Sequence, residues 1–174
     1  KAGMETLNHP PDYYGLSLIL GGAEVTLWDL AGMYTSLVSV LRNYDEHDGF
    51  YEAQPFKPLS WVQHKNVFEK NNVQAVQPMV RASAIYETLQ ALLRVRRPES
   101  EAGWQAFASA RNIAWKTGTS FGFRDAWAVG MTRDYVVSVW VGNADGEGRP
   151  GLIGVSAAAP LIFNIFDLFS AYGW

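Results

Sequence analysis

The sequence contains no cysteine at all. Disulfides, thiolate metal sites and thiol catalysis are thereby excluded, although the absence does not choose a compartment. Long apolar runs are missing too. None approaches the roughly 18 residues that a membrane span requires, and the opening KAGMETLNHPP lacks the basic and apolar regions of a signal peptide. There is no surplus of one charge: fourteen basic against seventeen acidic residues leave a formal net charge of -3. Such a balance indicates neither a polyanion binder nor an acidic tail protein, so nucleic acid is not an expected partner. Histidine is scarce, and His9, His47 and His64 are scattered without metal-ligand spacing. They are read as solvated histidines rather than metal ligands.

What is present points to an ordered domain. Hydrophobic residues make up 48% of the chain and charged residues 18%, which excludes a disordered polymer. A length of 174 residues fits one domain and leaves little room for two. At that size about 70% of the unfolded surface can be buried, enough for a real core. Aromatic residues reach 14%, and core packing accounts for most of them.

Periodicity divides the chain unevenly. Over residues 26–41, Leu27, Leu30, Ala31, Tyr34, Leu37, Val38 and Leu41 recur at helical spacing, and Thr26 with Asp29 forms a capping-box start. Gly21 and Gly22 supply a turn before it. Residues 44–60 mix acids, glycine and proline without periodicity and read as an ordered loop or short hairpin. Asp45, Glu46, Asp48 and Glu52 lie there without calcium-loop spacing. A second amphipathic helix spans about 78–95 through Ile85, Leu89, Leu92 and Leu93, with Pro78 opening or preceding it. The period then changes. Residues 113–119, 126–131 and 135–141 read as three strands, the last two joined by a turn at Thr132, Arg133 and Asp134. A closing helix over 156–169 is apolar on most faces, with Pro160 in its first turn. The expected fold class is α+β: residues 1–110 mainly helices and loops, and 111–174 an antiparallel sheet of three strands followed by a helix.

The chemistry concentrates in Lys116-Thr117-Gly118-Thr119-Ser120, at the end of the first strand. An edge strand can pair with an extended, peptide-like substrate. Gly118 leaves no side chain in the way of that approach. Lys116 brings positive charge, the threonine hydroxyls can hold a carboxylate, and the Thr119 N–H can point at a developing oxyanion. Three residues recur by chance, so the motif alone says little. Gly146-Glu147-Gly148-Arg149-Pro150-Gly151 matches a dinucleotide fingerprint literally, but a proline inside it and no acid about 20 residues on make it a strand-to-helix loop. Ser120 has no base at a usual spacing.

Context gives the motif weight. The stretches ILGGAEVTLWDLAGMYTSLV and AWKTGTSFGFRDAWAVGMTRDYVVSVWVGNADG resemble the transpeptidase domain of class A penicillin-binding proteins. The closing GVSAAAPLIFNIFDLF fits the same pattern more loosely. The resemblance implies a partial penicillin-binding/β-lactamase-like transpeptidase fold. It also implies a peptidoglycan D,D-transpeptidase that acts through an acyl-serine and binds penicillin. Its partners would be peptidoglycan stem peptides and β-lactams. On this resemblance Lys116 and Thr119 are catalytic, and Thr117, Gly118 and Thr119 bind substrate. Thr117 and Thr119 would hold the terminal carboxylate, and the Thr119 N–H would be one of two oxyanion donors. Asp125 reads as an acid at a turn and Trp127 as a core aromatic, with Trp140 also expected in the core. The parent protein would be anchored in the inner membrane with this region periplasmic, and a glycosyltransferase domain would precede it.

The family's nucleophile motif, Ser-x-x-Lys, is absent here. The five lysines are Lys1, Lys57, Lys65, Lys70 and Lys116, and none has a serine three residues before it. Ser-x-Asn is absent as well. The expectation is the C-terminal portion of a single transpeptidase domain, residues 1–174, inactive alone because its serine lies upstream. Removing the strands that precede it in the family would leave residues 135–141 as an unpaired, valine-rich edge through which the chain could dimerise. Two other readings stay open. One is a non-catalytic binding or assembly module on the same fold, the other a related serine D,D-peptidase.

Overall fold

The computed structural model describes residues 3–51, 56, 59–61, 78–99, 102–103 and 112–169. A short helix α1 (Pro11–Tyr14) runs into a 3-10 stretch (Gly15–Leu20) that Gly21 ends in the left-handed region. Then follow α2 (Leu27–Glu46), α3 (Ala82–Leu93), β1 (Ala114–Thr119), β2 (Asp125–Met131), β3 (Val136–Gly142) and α4 (Ala159–Asp167).

The three strands form one antiparallel sheet in the order β1-β2-β3, with Lys116 opposite Val129 and Trp127 opposite Trp140. Alternation then sorts the side chains. Ala114, Lys116 and Gly118 share a face with Met131, Val129 and Trp127; Trp115, Thr117 and Thr119 share the other with Gly130, Ala128 and Ala126. Helices cover both faces. Val38 and Val40 of α2 with Ile85 and Leu89 of α3 bury Ala114, Val129 and Met131. On the far side, Ile162, Phe163 and Phe166 of α4 bury Trp115, Ala128 and Val137. The α+β expectation holds, as three layers with the sheet in the middle.

Local chemistry explains where the elements begin and end. Thr26 Oγ1 accepts the Asp29 N–H at 3.1 Å, so the expected cap forms. Its reciprocal half does not. Asp29 Oδ2 instead accepts the Thr6 N–H (3.0 Å) and hydroxyl (2.7 Å), tying the start of α2 to the N-terminal segment. The helix also runs five residues past Leu41, into the stretch expected to be a loop. No proline interrupts it there, and Gly49, at φ +84°, closes the end with an N–H bond to the Tyr44 carbonyl at 2.9 Å. Arg133 of the β2–β3 turn lies 3.4 Å from both Asp45 and Glu46, which accounts for part of the acidic cluster. Pro78 precedes α3, and the Tyr51 hydroxyl accepts the Ala82 N–H at 3.1 Å where Arg81 supplies no side-chain cap.

The closing helix begins unlike its expectation. Residues Gly154–Ala158 form a wide π-helical turn in which the Ala159 N–H reaches back to the Gly154 carbonyl. Pro160, one residue on, has no N–H to continue tighter pairing, which favours a wide turn before α4.

Two aromatic expectations are corrected. Trp140 is 37% exposed and Trp127 only half-buried, so neither is a core residue. The pair packs across β2 and β3 at 6.4 Å between centroids, beyond the part of that face buried by α2 and α3. The buried indole is Trp115, 2% exposed and edge-on to Phe163 at 5.4 Å.

Candidate functional site

The hydrogen-bond parity of the β1–β2 hairpin decides what the strand offers. Ser120 N–H donates to the Asp125 carbonyl at 2.9 Å, which makes residues 120 and 125 a hydrogen-bonded pair. In an antiparallel ladder such pairs alternate with outward-facing ones. Lys116 and Gly118 therefore turn their backbone groups toward β2, while Thr117 and Thr119 turn theirs outward. Among the described residues β1 has one strand neighbour, β2, so this outer edge is open.

Each motif residue has a distinct setting on that edge. Lys116 is the one lysine among the described residues, and it is exposed. Its ammonium donates to the Thr117 carbonyl, an outward-facing acceptor. Thr119 Oγ1 accepts the Gly154 N–H at 3.0 Å, yet keeps its own proton and a further lone pair. Gly154 is pressed onto the hairpin: a Cβ there would lie 2.5 Å from the Gly118 carbonyl oxygen and 2.6 Å from that of Trp127. Gly118 differs. A Cβ there would meet only Trp127 Cβ at 3.6 Å and Cδ1 at 3.9 Å, ordinary contacts, and its φ is not left-handed. Among the described residues nothing requires glycine at 118.

Past Thr119 the hairpin is tightly held. Ser120 Oγ donates to Asp125 Oδ2 at 2.7 Å and accepts the Asp125 N–H at 2.8 Å. The second carboxylate oxygen of Asp125 accepts the Trp140 indole N–H at 2.8 Å. Phe123 N–H returns to the Ser120 carbonyl at 3.2 Å, and Arg149 N–H donates to the Phe123 carbonyl at 3.0 Å. The glycine-rich loop set aside as a nucleotide motif thus braces the hairpin tip.

Lys116, Thr117, Gly118 and Thr119 stand together on β1 as their sequence adjacency requires. Sequence reasoning missed the Ser120–Asp125–Trp140 network, and Asp125, read as an acid at a turn, is the first residue of β2. The signal was present in the pairing distance, since a serine and an acid five apart flank a short hairpin tip. The contact of Gly154 with the strand, 35 residues away, had no sequence signal. His9 stacks on Tyr13 at 4.0 Å and His47 Nδ1 lies 2.9 Å from the Asn43 carbonyl, while His64 lies outside the described residues, as do Lys57, Lys65 and Lys70. No group of three or more ligating side chains occurs among the described residues. No described helix is long and apolar enough to cross a membrane.

No protein-family model matches the chain. Similarity to characterised proteins is nonetheless extensive. Over 155 residues, 88% of its length, the chain is 32% identical to penicillin-binding protein 1C of Escherichia coli (strain K12). Over 152 residues, 82% of its length, it is 31% identical to penicillin-binding protein 1A of Neisseria gonorrhoeae and of Neisseria cinerea. The class is that of the penicillin-binding proteins. Within it the chain belongs with the class A members, as a homologue of one segment of the 1C and 1A proteins. It spans 17% of the length of these curated relatives.

Proposed function

We propose that residues 1–174 are the C-terminal portion of a single transpeptidase domain in a peptidoglycan D,D-transpeptidase. The nucleophilic serine would come from a part of the parent outside these residues. The observation that carries this reading is the open outer edge of β1. It presents the Thr119 N–H outward, Lys116 beside it, and a glycine that packing among the described residues does not demand. The names of the relatives point the same way.

On this reading an extended stem peptide lies along β1. Its terminal carboxylate meets Lys116, Thr117 and Thr119, while Lys116 also helps position the serine. The serine oxygen attacks the penultimate D-alanyl carbonyl, and the Thr119 N–H donates to the oxyanion as that charge develops. Collapse breaks the peptide bond, releases D-alanine with a proton on its nitrogen, and leaves an acyl-serine. The amine of a second stem peptide then forms the new amide and frees the serine. A penicillin enters the same cycle, and its ring-opened ester stays on the serine. The ester is formed without metal or cofactor. The parent would be held at the inner membrane with this region periplasmic, beside a glycosyltransferase domain. The outer edge of β3, around residues 135–141, would serve as a dimerisation surface of the chain alone, because such an edge templates a further strand. A monomer by light scattering with that edge protected from hydrogen exchange argues against it.

Intact mass after incubation with a reactive penicillin tests the main reading, on this chain and on one extended upstream in the same gene. An adduct on the longer chain alone supports it. No adduct on either favours a non-catalytic module, and an adduct on the short chain means the nucleophile lies within it.

A further inference from the structure

Thr117 and Thr119 share the α4 face of β1, and Gly154, the first residue of the π-helical turn, is pressed against both. A Cβ on Gly154 would lie 3.0 Å from Thr117 Cβ, and the Gly154 N–H donates to Thr119 Oγ1 at 3.0 Å. The first N–H groups of a helical turn have no acceptor inside it. Ile153, which precedes this turn, supplies no side-chain cap, and a strand hydroxyl 35 residues away does so instead.

For that hydroxyl the bond has a directional consequence. A threonine hydroxyl has one proton and two lone pairs. With one lone pair given to the Gly154 N–H, Oγ1 is held in place and its proton points away from that N–H. Thr119 is exposed, and no described residue accepts the proton. A hydroxyl that accepts one hydrogen bond is also a stronger donor in the next. The oxygen is thus fixed and its proton free before any ligand arrives, which spares binding the cost of ordering the side chain.

We propose that the Gly154 backbone is a positioning group for the substrate carboxylate: its N–H anchors Thr119 Oγ1 so that the hydroxyl proton is delivered to that carboxylate. This role rests on the transpeptidase reading, and adds that the start of the closing helix sets the geometry of the carboxylate site. Gly154 acts through Thr119 and not on the reacting atoms. Its lack of a side chain serves packing, while the proton on its nitrogen serves the site.

The test deletes that proton alone. In the upstream-extended chain Gly154 is replaced by glycolic acid, so that an ester oxygen stands where the N–H was and no atom is added against the Gly118 and Trp127 carbonyls. Acylation by benzylpenicillin should slow about fivefold. In a Thr119→Val background, with no hydroxyl to position, the same ester should change the rate by less than about twofold, whereas Thr119→Ser should stay as sensitive to it as threonine. A purely structural N–H would slow both backgrounds alike. That result, or a folded ester chain that acylates like wild type, overturns the proposal. If the ester chain does not fold, hydrogen exchange at the Gly154 amide decides. Acylation should slow that exchange in the all-amide chain and not in Thr119→Val, because a hydroxyl that donates to the carboxylate becomes a better acceptor. The same exchange before and after acylation overturns it equally. A wild type that forms no adduct removes the transpeptidase reading itself, an outcome distinct from a wild type that reacts while the ester and Thr119→Val show no coupling.

Discussion

Ser120 and Asp125 are bonded in both directions, the hydroxyl donating to the carboxylate at 2.7 Å and accepting from the Asp125 N–H at 2.8 Å. Together with the backbone bond between the same residues, this fixes the first peptide after Thr119. Asp125→Ala removes the acceptor of both Ser120 and the Trp140 indole. Because the site is only part-buried, water can replace some of what is lost. The expected cost is about 1–2 kcal/mol by urea unfolding. Ser120→Ala should cost less, and the double variant should fall short of the sum by about 0.5 kcal/mol or more. Strict additivity would show that the two side chains do not act as a pair.

The tryptophans separate by burial. Trp115, enclosed between the sheet and α4, should cost about 3–5 kcal/mol when replaced by alanine, much of a stability of about 5–15 kcal/mol. Trp140→Ala should cost about 1–2 kcal/mol, from a hydrogen bond and partial packing. Thermal or urea unfolding that ranked Trp140 above Trp115 would contradict the layering.

Why Trp127 and Trp140 read as core and are not is a matter of what sequence periodicity encodes. Alternation assigns Trp127 to one face of β2 and Trp140 to one face of β3, and α2 was equally legible from its apolar spacing. Neither pattern states how far along the sheet the helix reaches. Helices α2 and α3 bury the Met131 end of that face and not the Trp127–Trp140 end, a tertiary fact with no local trace. The motif on β1 was visible as letters. Its edge position and the outward direction of Thr119 depend on pairing parity, which the sequence carries only through the positions of Ser120 and Asp125. The Gly154 contact joins segments 35 residues apart and was invisible.

Tyr34 gives the fold an alkaline limit. Burial in the α2 layer raises its pKa above the usual value near 10. The folded state therefore keeps the phenol proton over a range where the unfolded chain has lost it. The resulting stability is complete below the unfolded value and is lost as pH rises from there through the raised one. Urea midpoints should fall as pH rises above about 10, and Tyr34→Phe should flatten that decline. An unchanged slope in the variant would place the alkaline sensitivity elsewhere.

Lys116→Ala should leave the urea midpoint within about 0.5 kcal/mol of wild type, because the side chain is exposed and packs little. In the upstream-extended chain, penicillin acylation should drop by about 10²–10⁴-fold. Normal acylation with the same variant would remove Lys116 from the site.

Gly118 and Gly154 provide the sharpest separation between fold and site, since they touch across the same hairpin but are glycines for different reasons. A methyl at 154 would run into two backbone carbonyl oxygens, at 2.5 and 2.6 Å, neither of which can rotate away. Gly154→Ala should therefore destabilise the chain by about 1–3 kcal/mol or more, and shift α4 and its π-helical turn off the sheet. A methyl at 118 meets only ordinary contacts with Trp127, and alanine suits a strand better than glycine. Gly118→Ala should match or slightly exceed wild type in urea. In the extended chain it should nonetheless slow penicillin acylation, because the methyl would project into the space where the ligand lies against β1. The opposite pattern, an unstable Gly118→Ala that acylates normally for its folded fraction, would mean that the glycine serves packing and that the ligand does not approach this strand.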